Sequence, residues 1–149
     1  MHITRYTDYS LRVLIFVALK KNELTTIKEI ADAYGISKSH LMKVVQELSN
    51  KGYLEAIRGK NGGLRLSGKP EDINLGHLVR DTEQDLALVE CFNPESSLNK
   101  GCLISPTCEL KLIFAKALES FFSVLDQYTL ADLIPTSRSK ELIQILKIC

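Results

Sequence analysis

Three cysteines lie in a stretch of the chain whose other residues favour turns. Residues 89–110 read VECFNPESSLNKGCLISPTCEL and contain Cys91, Cys102 and Cys108 among Pro, Ser, Asn and Gly. Cysteines are usually buried in hydrophobic cores, so thiols in a loop of this composition are candidate metal ligands or redox groups. The alternative is three buried or idle thiols.

The spacing of these cysteines narrows the chemistry without fixing the metal. The pattern C-x10-C-x5-C matches neither the C-x2-C pairs of structural zinc sites nor the C-x2-C-x2-C run of ferredoxins. Three thiolates without a nearby His can hold an iron-sulfur cluster and leave one iron for a different ligand or an open position. Cys149, the last residue, is expected in a frayed terminus and is the weakest candidate ligand.

Composition indicates a globular protein and the cellular compartment in which it works. With 149 residues, 45% of them hydrophobic, the chain can bury a core. Its longest apolar run, residues 13–19, is shorter than the roughly 20 residues that cross a bilayer, and its flanks do not suit a secretory signal. We therefore expect a cytoplasmic protein with no membrane partner, in which clustered thiols bind metal or act as redox groups more often than they form disulfides.

Charge is distributed unevenly between the two halves. Residues 1–69 carry 12 Lys and Arg against 6 Asp and Glu, a net charge of +6, whereas residues 70–149 carry 7 against 12, a net charge of −5. A basic half suits a polyphosphate partner, because neutralised phosphates release counterions. A chance imbalance on a solvated surface is the alternative.

The basic half begins with a helix. We predict that Thr7-Asp8 caps it and that it runs to about Lys20. Apolar residues occupy both of its faces, which predicts burial on two sides, within the chain or against a partner: Leu11, Leu14, Ile15 and Ala18 on one face, and Val13, Phe16 and Val17 on the other.

Two further helices around Gly35 have the pattern of a helix-turn-helix. Thr26 and Glu29 form a capping box for the first helix, Gly35 ends it, and Ser37 caps the second. The second helix has a buried stripe of Leu41, Val44, Val45 and Leu48. Its N-terminal residues would enter the major groove, so the candidate DNA contacts are Ser37, Lys38, Ser39, His40 and Lys43. A helical hairpin that never touches DNA gives the same local pattern.

The stretch GYLEAIRGKNGGLRLSG, residues 52–68, predicts a wing. Two short alternating strands flank Asn61-Gly62, a strong hairpin signal. A helix-turn-helix followed by such a ribbon is the order of a winged-helix DNA-binding domain. Basic residues at or near the tip, and glycines that allow close approach, make the candidate contacts Arg58, Gly59, Lys60, Asn61, Gly62 and Arg65.

Beyond Pro70 the chain is acidic, and its apolar pattern predicts a long helix that could associate with a second copy. A helix through Leu75, Leu78 and Val79 leads to the cysteine loop, and a long helix runs from Glu109 to about Tyr128. A heptad seam on that helix, with a second apolar row beside it, favours dimerisation over a single broad core face. The seam consists of Leu110, Phe114, Ala117, Phe121, Val124 and Tyr128, and the second row of Leu118, Phe122 and Leu125.

The sequence thus predicts a mainly α fold in two parts. Residues 1–72 form an N-terminal winged helix-turn-helix with a two-stranded wing, which is the DNA-binding domain. Residues 73–149 form the cysteine loop, the candidate cluster-binding segment, and the long dimerisation helix with a C-terminal tail.

This order of parts resembles the bacterial iron-sulfur regulators of the NsrR and IscR type, and the closer likeness is to the NsrR-type nitric-oxide-sensing repressors. The likeness covers nearly the whole chain and rests on four stretches: TDYSLR, YGISKSHLMKVVQELS, RGKNGGLRL and YTLADL. An IscR-like chain would have His three residues after its last cysteine, where Lys111 stands here. The interval between Cys91 and Cys102 is several residues longer than is usual in the family.

The resemblance implies a cofactor, a partner and a signal. Cys91, Cys102 and Cys108 would hold an iron-sulfur cluster, either 4Fe-4S or 2Fe-2S, and Asp8 of the partner subunit would supply the fourth ligand. The homodimer would repress by binding a double-stranded DNA operator, an inverted repeat. Nitrosylation of the cluster by nitric oxide would lower operator affinity and derepress nitric-oxide detoxification genes. For Asp8, a role as a helix cap is the competing interpretation.

Other functions are left open. The same DNA-binding fold could carry a zinc- or thiol-based redox switch, or the protein could be an iron-sulfur-homeostasis regulator of the IscR type. An enzyme is not expected, because His2, His40 and His77 form no motif with a nucleophilic cysteine. A module that binds only other proteins is disfavoured by the basic wing.

Overall fold

The fold is mainly α-helical with a two-stranded sheet, as predicted. A computed structural model describes residues 2–21, 23–92, 102, 104 and 107–148. Within this part of the chain, no helix is both long and apolar enough to cross a membrane. The helices are α1 (Arg5–Leu19), α2 (Ile27–Tyr34), α3 (Lys38–Asn50), α4 (Leu75–Thr82), α5 (Glu109–Leu125), α6 (Leu130–Leu133) and α7 (Thr136–Ile145), and the strands are β1 (Leu54–Ile57) and β2 (Gly63–Leu66).

Helix α1 begins earlier than predicted. Its N-cap is Thr4, whose hydroxyl accepts a hydrogen bond from the Thr7 backbone N–H at 3.3 Å. The predicted cap at Thr7-Asp8 is wrong because Thr7 is fully buried and donates its own hydroxyl to Thr82 at 2.9 Å, while Asp8 lies inside the first turn. Both apolar faces of the helix are buried within this chain, as shown by Val13, Leu14, Phe16 and Val17.

The helix-turn-helix is confirmed in its local details. Thr26 and Glu29 form the capping box, with Glu29 N–H donating to the Thr26 hydroxyl at 3.2 Å and Thr26 N–H to the Glu29 carboxylate at 2.7 Å. Gly35 ends α2 with a left-handed φ of 64°, and Ser37 is the N-cap of α3. The predicted stripe Leu41, Val44, Val45 and Leu48 is buried.

The wing is an antiparallel hairpin that is also tied to the chain before α2. Leu54 pairs with Leu66 and Ile57 with Gly63. The connection is a five-residue loop, residues 58–62, rather than a two-residue Asn61-Gly62 turn. Gly59 adopts a left-handed φ of 117°, and its carbonyl accepts from Gly62 N–H at 3.0 Å, which puts Lys60 and Asn61 at the corner.

Backbone pairing also joins the start of α4 to the end of α5. Leu75 N–H donates to the Tyr128 carbonyl at 3.0 Å, and Leu130 N–H donates to the Ile73 carbonyl at 2.9 Å. Because the chain turns to make this bridge, α5 ends at Leu125 and not at Tyr128 as predicted.

One hydrophobic cluster contains residues from both predicted parts. Leu14 of α1 and Leu41 of α3 are fully buried in it together with Leu130 of α6. Leu146, which follows α7, is 8% exposed and belongs to the same cluster. The C-terminal segment therefore helps to close the core beneath the helix-turn-helix.

Candidate functional site

The predicted contacts at the start of α3 lie together on the protein surface. Ser37 accepts a hydrogen bond from His40 N–H at 3.4 Å, which fixes the first turn of the helix. The side chains that could reach a nucleic acid are all exposed: Ser37, Lys38, Ser39, His40 and Lys43. Since the opposite face of α3 is packed in the core, the helix presents a polar and basic face to solvent.

The wing tip presents a second set of predicted contacts. Arg58, Gly59, Lys60 and Asn61 are exposed in the loop between the strands, and Gly62 is half-buried. Two cationic side chains and free backbone groups at a hairpin tip suit contact with phosphates.

Arg65 is not at the wing tip but within β2. Its Nε and terminal nitrogen lie 2.9 and 2.8 Å from the same carboxylate oxygen of Glu55, the residue opposite it on β1. Glu55 was not among the predicted site residues, although the hairpin register puts it directly across from Arg65. The predicted DNA contact is therefore already paired in this structure.

The three loop cysteines line one cavity of about 690 Å³. Cys91 lies in a short 3₁₀ turn, Glu90–Phe92, Cys108 is the N-cap residue of α5, and Cys102 is exposed. The remaining lining is largely apolar and was not predicted: Leu88, Val89, Glu90, Ile104, Leu110, Lys111 and Phe114. Cys91 and Cys108, on either side of the loop, thus share this cavity with Cys102.

The donor chemistry of this cavity suits a soft metal group. All three cysteines are free thiols, and sulfur ligands in an apolar setting favour iron-sulfur clusters or zinc. Among the described residues, no three His, Cys, Asp or Glu side chains converge closely enough to hold a single metal ion. The residues fit the cofactor in donor type, but in this structure their side chains do not converge on one point. Cys149 lies outside the described residues.

Asp8 lies apart from the cysteine cavity of its own chain. It is not among the described residues that line the cavity, and its carboxylate lies 2.9 Å from the Arg12 guanidinium, one turn along α1. Arg12 in turn lies over the ring of Tyr34, 5.7 Å from its centroid. Burial raises the pKa of Tyr34 to about 12, so its hydroxyl stays protonated at neutral pH.

The last turn of α4 binds α5 through a charged pair. Arg80 donates two hydrogen bonds to the Asp126 carboxylate, at 2.6 and 2.9 Å, and its guanidinium lies 4.1 Å from the centroid of the Phe122 ring. The Arg80 hydrogen bond holds the pKa of Asp126 below its usual range.

The same turn also binds α1. The Thr7 hydroxyl donates to the Thr82 hydroxyl at 2.9 Å in a buried contact. Glu83 accepts from the Thr4 backbone N–H at 2.8 Å and from the Thr4 hydroxyl at 3.0 Å. The N-cap of α1 is thereby fixed to the chain segment that leads toward Cys91.

A third bond connects this turn to the base of the wing. The Tyr53 hydroxyl donates to the Asp81 carboxylate at 2.5 Å. Burial, together with Asp81, raises the pKa of Tyr53, so the phenol remains a hydrogen-bond donor. Sequence analysis missed this pair, because its members are 28 residues apart and no local pattern connects them.

Sequence comparison places the chain among bacterial regulators. A profile of the Rrf2 family, described as "Iron-dependent Transcriptional regulator", matches residues 3–136. The "HTH-type transcriptional regulator NsrR" of Bacillus licheniformis is 58% identical over 135 residues, which cover 90% of this chain and 92% of the relative. The protein of the same description from Bacillus subtilis is 51% identical over 148 residues, 99% of this chain and 98% of the relative.

Solved structures have the same fold. CymR (YrzC), "the Global Cysteine Regulator of B. subtilis", aligns with a TM-score of 0.70 and 28% identity, covering 89% of this chain and 95% of that chain. The structure described as "T. potens IscR" aligns with a TM-score of 0.71 and 24% identity over 90% of this chain and 86% of that chain, a likeness of fold.

Proposed function

Since the chain belongs to the Rrf2 family of transcriptional regulators, which are not enzymes, we propose that its repression of an operator is controlled by an iron-sulfur cluster held by Cys91, Cys102 and Cys108. Nitric oxide is the proposed signal, and genes of nitric-oxide detoxification are the proposed targets. The observation that carries this proposal is the single cavity shared by the three thiols.

The proposed operator-binding surface has two parts. The start of α3 would enter the major groove, and the wing tip would contact the backbone or the neighbouring minor groove. The contacts proposed are Ser37, Lys38, Ser39, His40, Lys43, Arg58, Gly59, Lys60, Asn61, Gly62 and Arg65. All of these residues except Gly62 are exposed, and this exposure and the net charge of +6 over residues 1–69 support the assignment.

The cysteine cavity suits an iron-sulfur cluster in its donor chemistry. Three thiols and a largely apolar wall match the ligand preference of 4Fe-4S or 2Fe-2S groups. When bound, such a group would supply iron to which nitric oxide can coordinate. The chain's own contribution would be to bring the turn Glu90–Phe92 and the N-cap of α5 to one cavity, because Cys91 and Cys108 would share one ligand set.

A homodimer on an inverted repeat would use the exposed seam of α5. The second predicted row packs inward, with Phe122 buried and Leu118 and Leu125 half-buried. On the heptad seam, Leu110 and Val124 are each 54% exposed, which is costly for large apolar side chains in water. A second copy of the chain would cover them and place two winged helices on one DNA duplex.

Asp8 is the proposed fourth ligand, contributed by the partner subunit. Its carboxylate is about half exposed and its only charged contact among the described residues is Arg12, so it can be released toward a neighbouring chain. A carboxylate ligand would bind iron less strongly than a thiolate and would mark the exchangeable position.

The decisive experiment combines metal analysis with DNA binding. Chain purified without oxygen should be coloured, contain iron and acid-labile sulfide, and bind a duplex selected from a random library by the same preparation. Addition of nitric oxide should weaken that binding. Cys102→Ala should remove the colour, whereas Ser123→Ala on α5 should not.

Two results would overturn the proposal. A Cys102→Ala chain that retains its iron and sulfide would remove the ligand assignment. A colourless wild-type chain that contains zinc, or that responds to oxidants rather than to nitric oxide, would favour a zinc- or thiol-based switch instead.

A further inference from the structure

Four consecutive residues at the end of α4 bind three other parts of the molecule. Arg80 binds the end of α5, Asp81 the residue before β1, Thr82 the first turn of α1, and Glu83 the N-cap of α1. This one helical turn is therefore bonded through its side chains to the wing, α1 and α5, and its position affects all three. We call residues 80–83 the α4 junction.

The α4 junction lies between the cysteine cavity and the proposed DNA-binding elements along the chain. Cys91 follows Glu83 by eight residues, and the Asp126 partner of Arg80 lies at the opposite end of the helix that Cys108 begins. A displacement of the cysteine segments would therefore reach this turn by two routes: through the chain between Glu83 and Cys91, and through α5 and the bond from Arg80 to Asp126.

Tyr53 is the residue through which the junction reaches the wing. Its backbone N–H donates to the carbonyl of Leu48 in α3 at 2.9 Å, and its carbonyl accepts from Ser67 N–H, just beyond β2, at 3.1 Å. Tyr53 thus lies at the base of the hairpin and contacts α3 as well. Its hydroxyl bond to Asp81 is the side-chain hydrogen bond that joins this base to α4.

We propose that Asp81 is a positioning residue that sets the wing through Tyr53 according to the state of the cysteine loop. This inference rests on the proposed function, since it requires that the cluster control DNA affinity. A charged acceptor gives a stronger bond than a neutral one, so Asp81 suits the transmission of a small displacement. The wing would keep its own structure and change its orientation relative to α3.

The test compares DNA affinity with and without the cluster. The full-length chain is titrated onto the duplex selected by the cluster-loaded wild type. The ratio measured is the dissociation constant without the cluster divided by the dissociation constant with it. Tyr53→Phe removes only the hydroxyl, and it should reduce this ratio by about fivefold or more, the lower range of allosteric couplings. Iron and sulfide content and the reaction of the chromophore with nitric oxide should not change.

Matched variants separate positioning from general damage. Tyr9→Phe also removes one phenol, whose hydroxyl forms no hydrogen bond among the described residues, and should keep the wild-type ratio. Asp81→Ala should act like Tyr53→Phe, and the double variant should be no worse than either single one. Asp81→Asn retains an acceptor oxygen and should restore part of the ratio.

The outcomes distinguish the two proposals. A folded, iron-loaded Tyr53→Phe chain with the wild-type ratio would overturn the positioning role and leave the proposed function intact. A wild-type chain whose affinity is the same with and without the cluster would overturn the proposed function, and the positioning role with it.

Discussion

The carboxylate of Asp8 lies 2.9 Å from the guanidinium of Arg12, within one turn of the same helix. Both side chains are more than 40% exposed, so the pair adds little to folding, about 0.5 kcal/mol or less. Asp8 can therefore exchange this partner for another at small cost.

Asp8→Ala should leave the fold almost unchanged and alter the cofactor. We expect a loss of at most about 1 kcal/mol in folding free energy, because only an exposed pair in the first helical turn is removed. Cluster retention and the rate of reaction with nitric oxide should change, as followed by the visible spectrum and iron analysis.

Asp32→Ala is a matched control for this variant. Asp32 forms the same kind of pair with Lys28 on α2, at 3.1 Å, and has no proposed ligand role. If both variants show the same cluster retention and the same rate of reaction with nitric oxide, Asp8 is not a ligand.

Glu55→Gln should strengthen DNA binding. The substitution removes a negative charge from the wing and releases Arg65 from its ion pair. We expect a severalfold higher affinity and a salt dependence steeper by up to about one unit, as for one additional phosphate contact.

The Arg65 assignment depends on a second variant. Arg65→Ala should weaken binding, and Glu55→Gln should bring a smaller gain in that background. Equal gains in both backgrounds, measured by fluorescence anisotropy over a salt series, would show that the gain does not come from releasing Arg65. Unchanged binding by Arg65→Ala would show that Arg65 does not contact DNA.

Val124→Asp should dissociate the proposed dimer. Val124 is 54% exposed on the heptad seam. In a two-fold dimer the substitution would bury one carboxylate from each subunit in the same contact, which is costly. We expect the dimer dissociation constant, measured by sedimentation, to rise at least about tenfold, equivalent to about 1.4 kcal/mol. Ile145→Asp alters a side chain on α7 that is 65% exposed and should leave association unchanged; a loss of dimer in that variant would place the interface elsewhere.

Asp126→Asn should destabilise the chain in a pH-dependent way. Arg80 lowers the pKa of Asp126 below the value of 3.8 that applies in the unfolded chain. The ionised pair therefore stabilises the fold above pH 3.8, and this contribution is lost as the pH falls through the folded pKa. The difference in unfolding free energy between wild type and variant should be constant above about pH 5 and shrink below the unfolded pKa.

Arg80→Gln supplies the reference for that measurement. In the Arg80→Gln background, Asp126→Asn should lose most of its pH dependence, because the cation that lowers the pKa is absent. A pH dependence that persists there would assign the effect to another group, and urea unfolding at several pH values measures it directly.

The elements that were predicted correctly carry local signals. The capping box at Thr26 and Glu29, the left-handed Gly35 and the Ser37 cap all act within four residues, and the structure has each of them. The hydrophobic period likewise predicted α4 and the long helix α5.

The features that were missed or misplaced depend on distant parts of the chain. Thr7 resembles a cap, but Thr82, 75 residues away, takes its hydroxyl. The end of α5 is set by the bridge between Asn74 and Thr129, and the α4 junction forms bonds across 28 to 79 residues. Local periodicity contains no information about such pairs.

Leu14 and Leu146, near opposite ends of the chain, are buried in the same hydrophobic cluster. During synthesis, the ribosome must release Leu146 before the apolar surface of α1 can be fully covered. A nascent chain paused after the wing would still expose part of that surface and would need protection from aggregation. The hydrophobic core that supports the winged helix is therefore complete only once Leu146 has been synthesised.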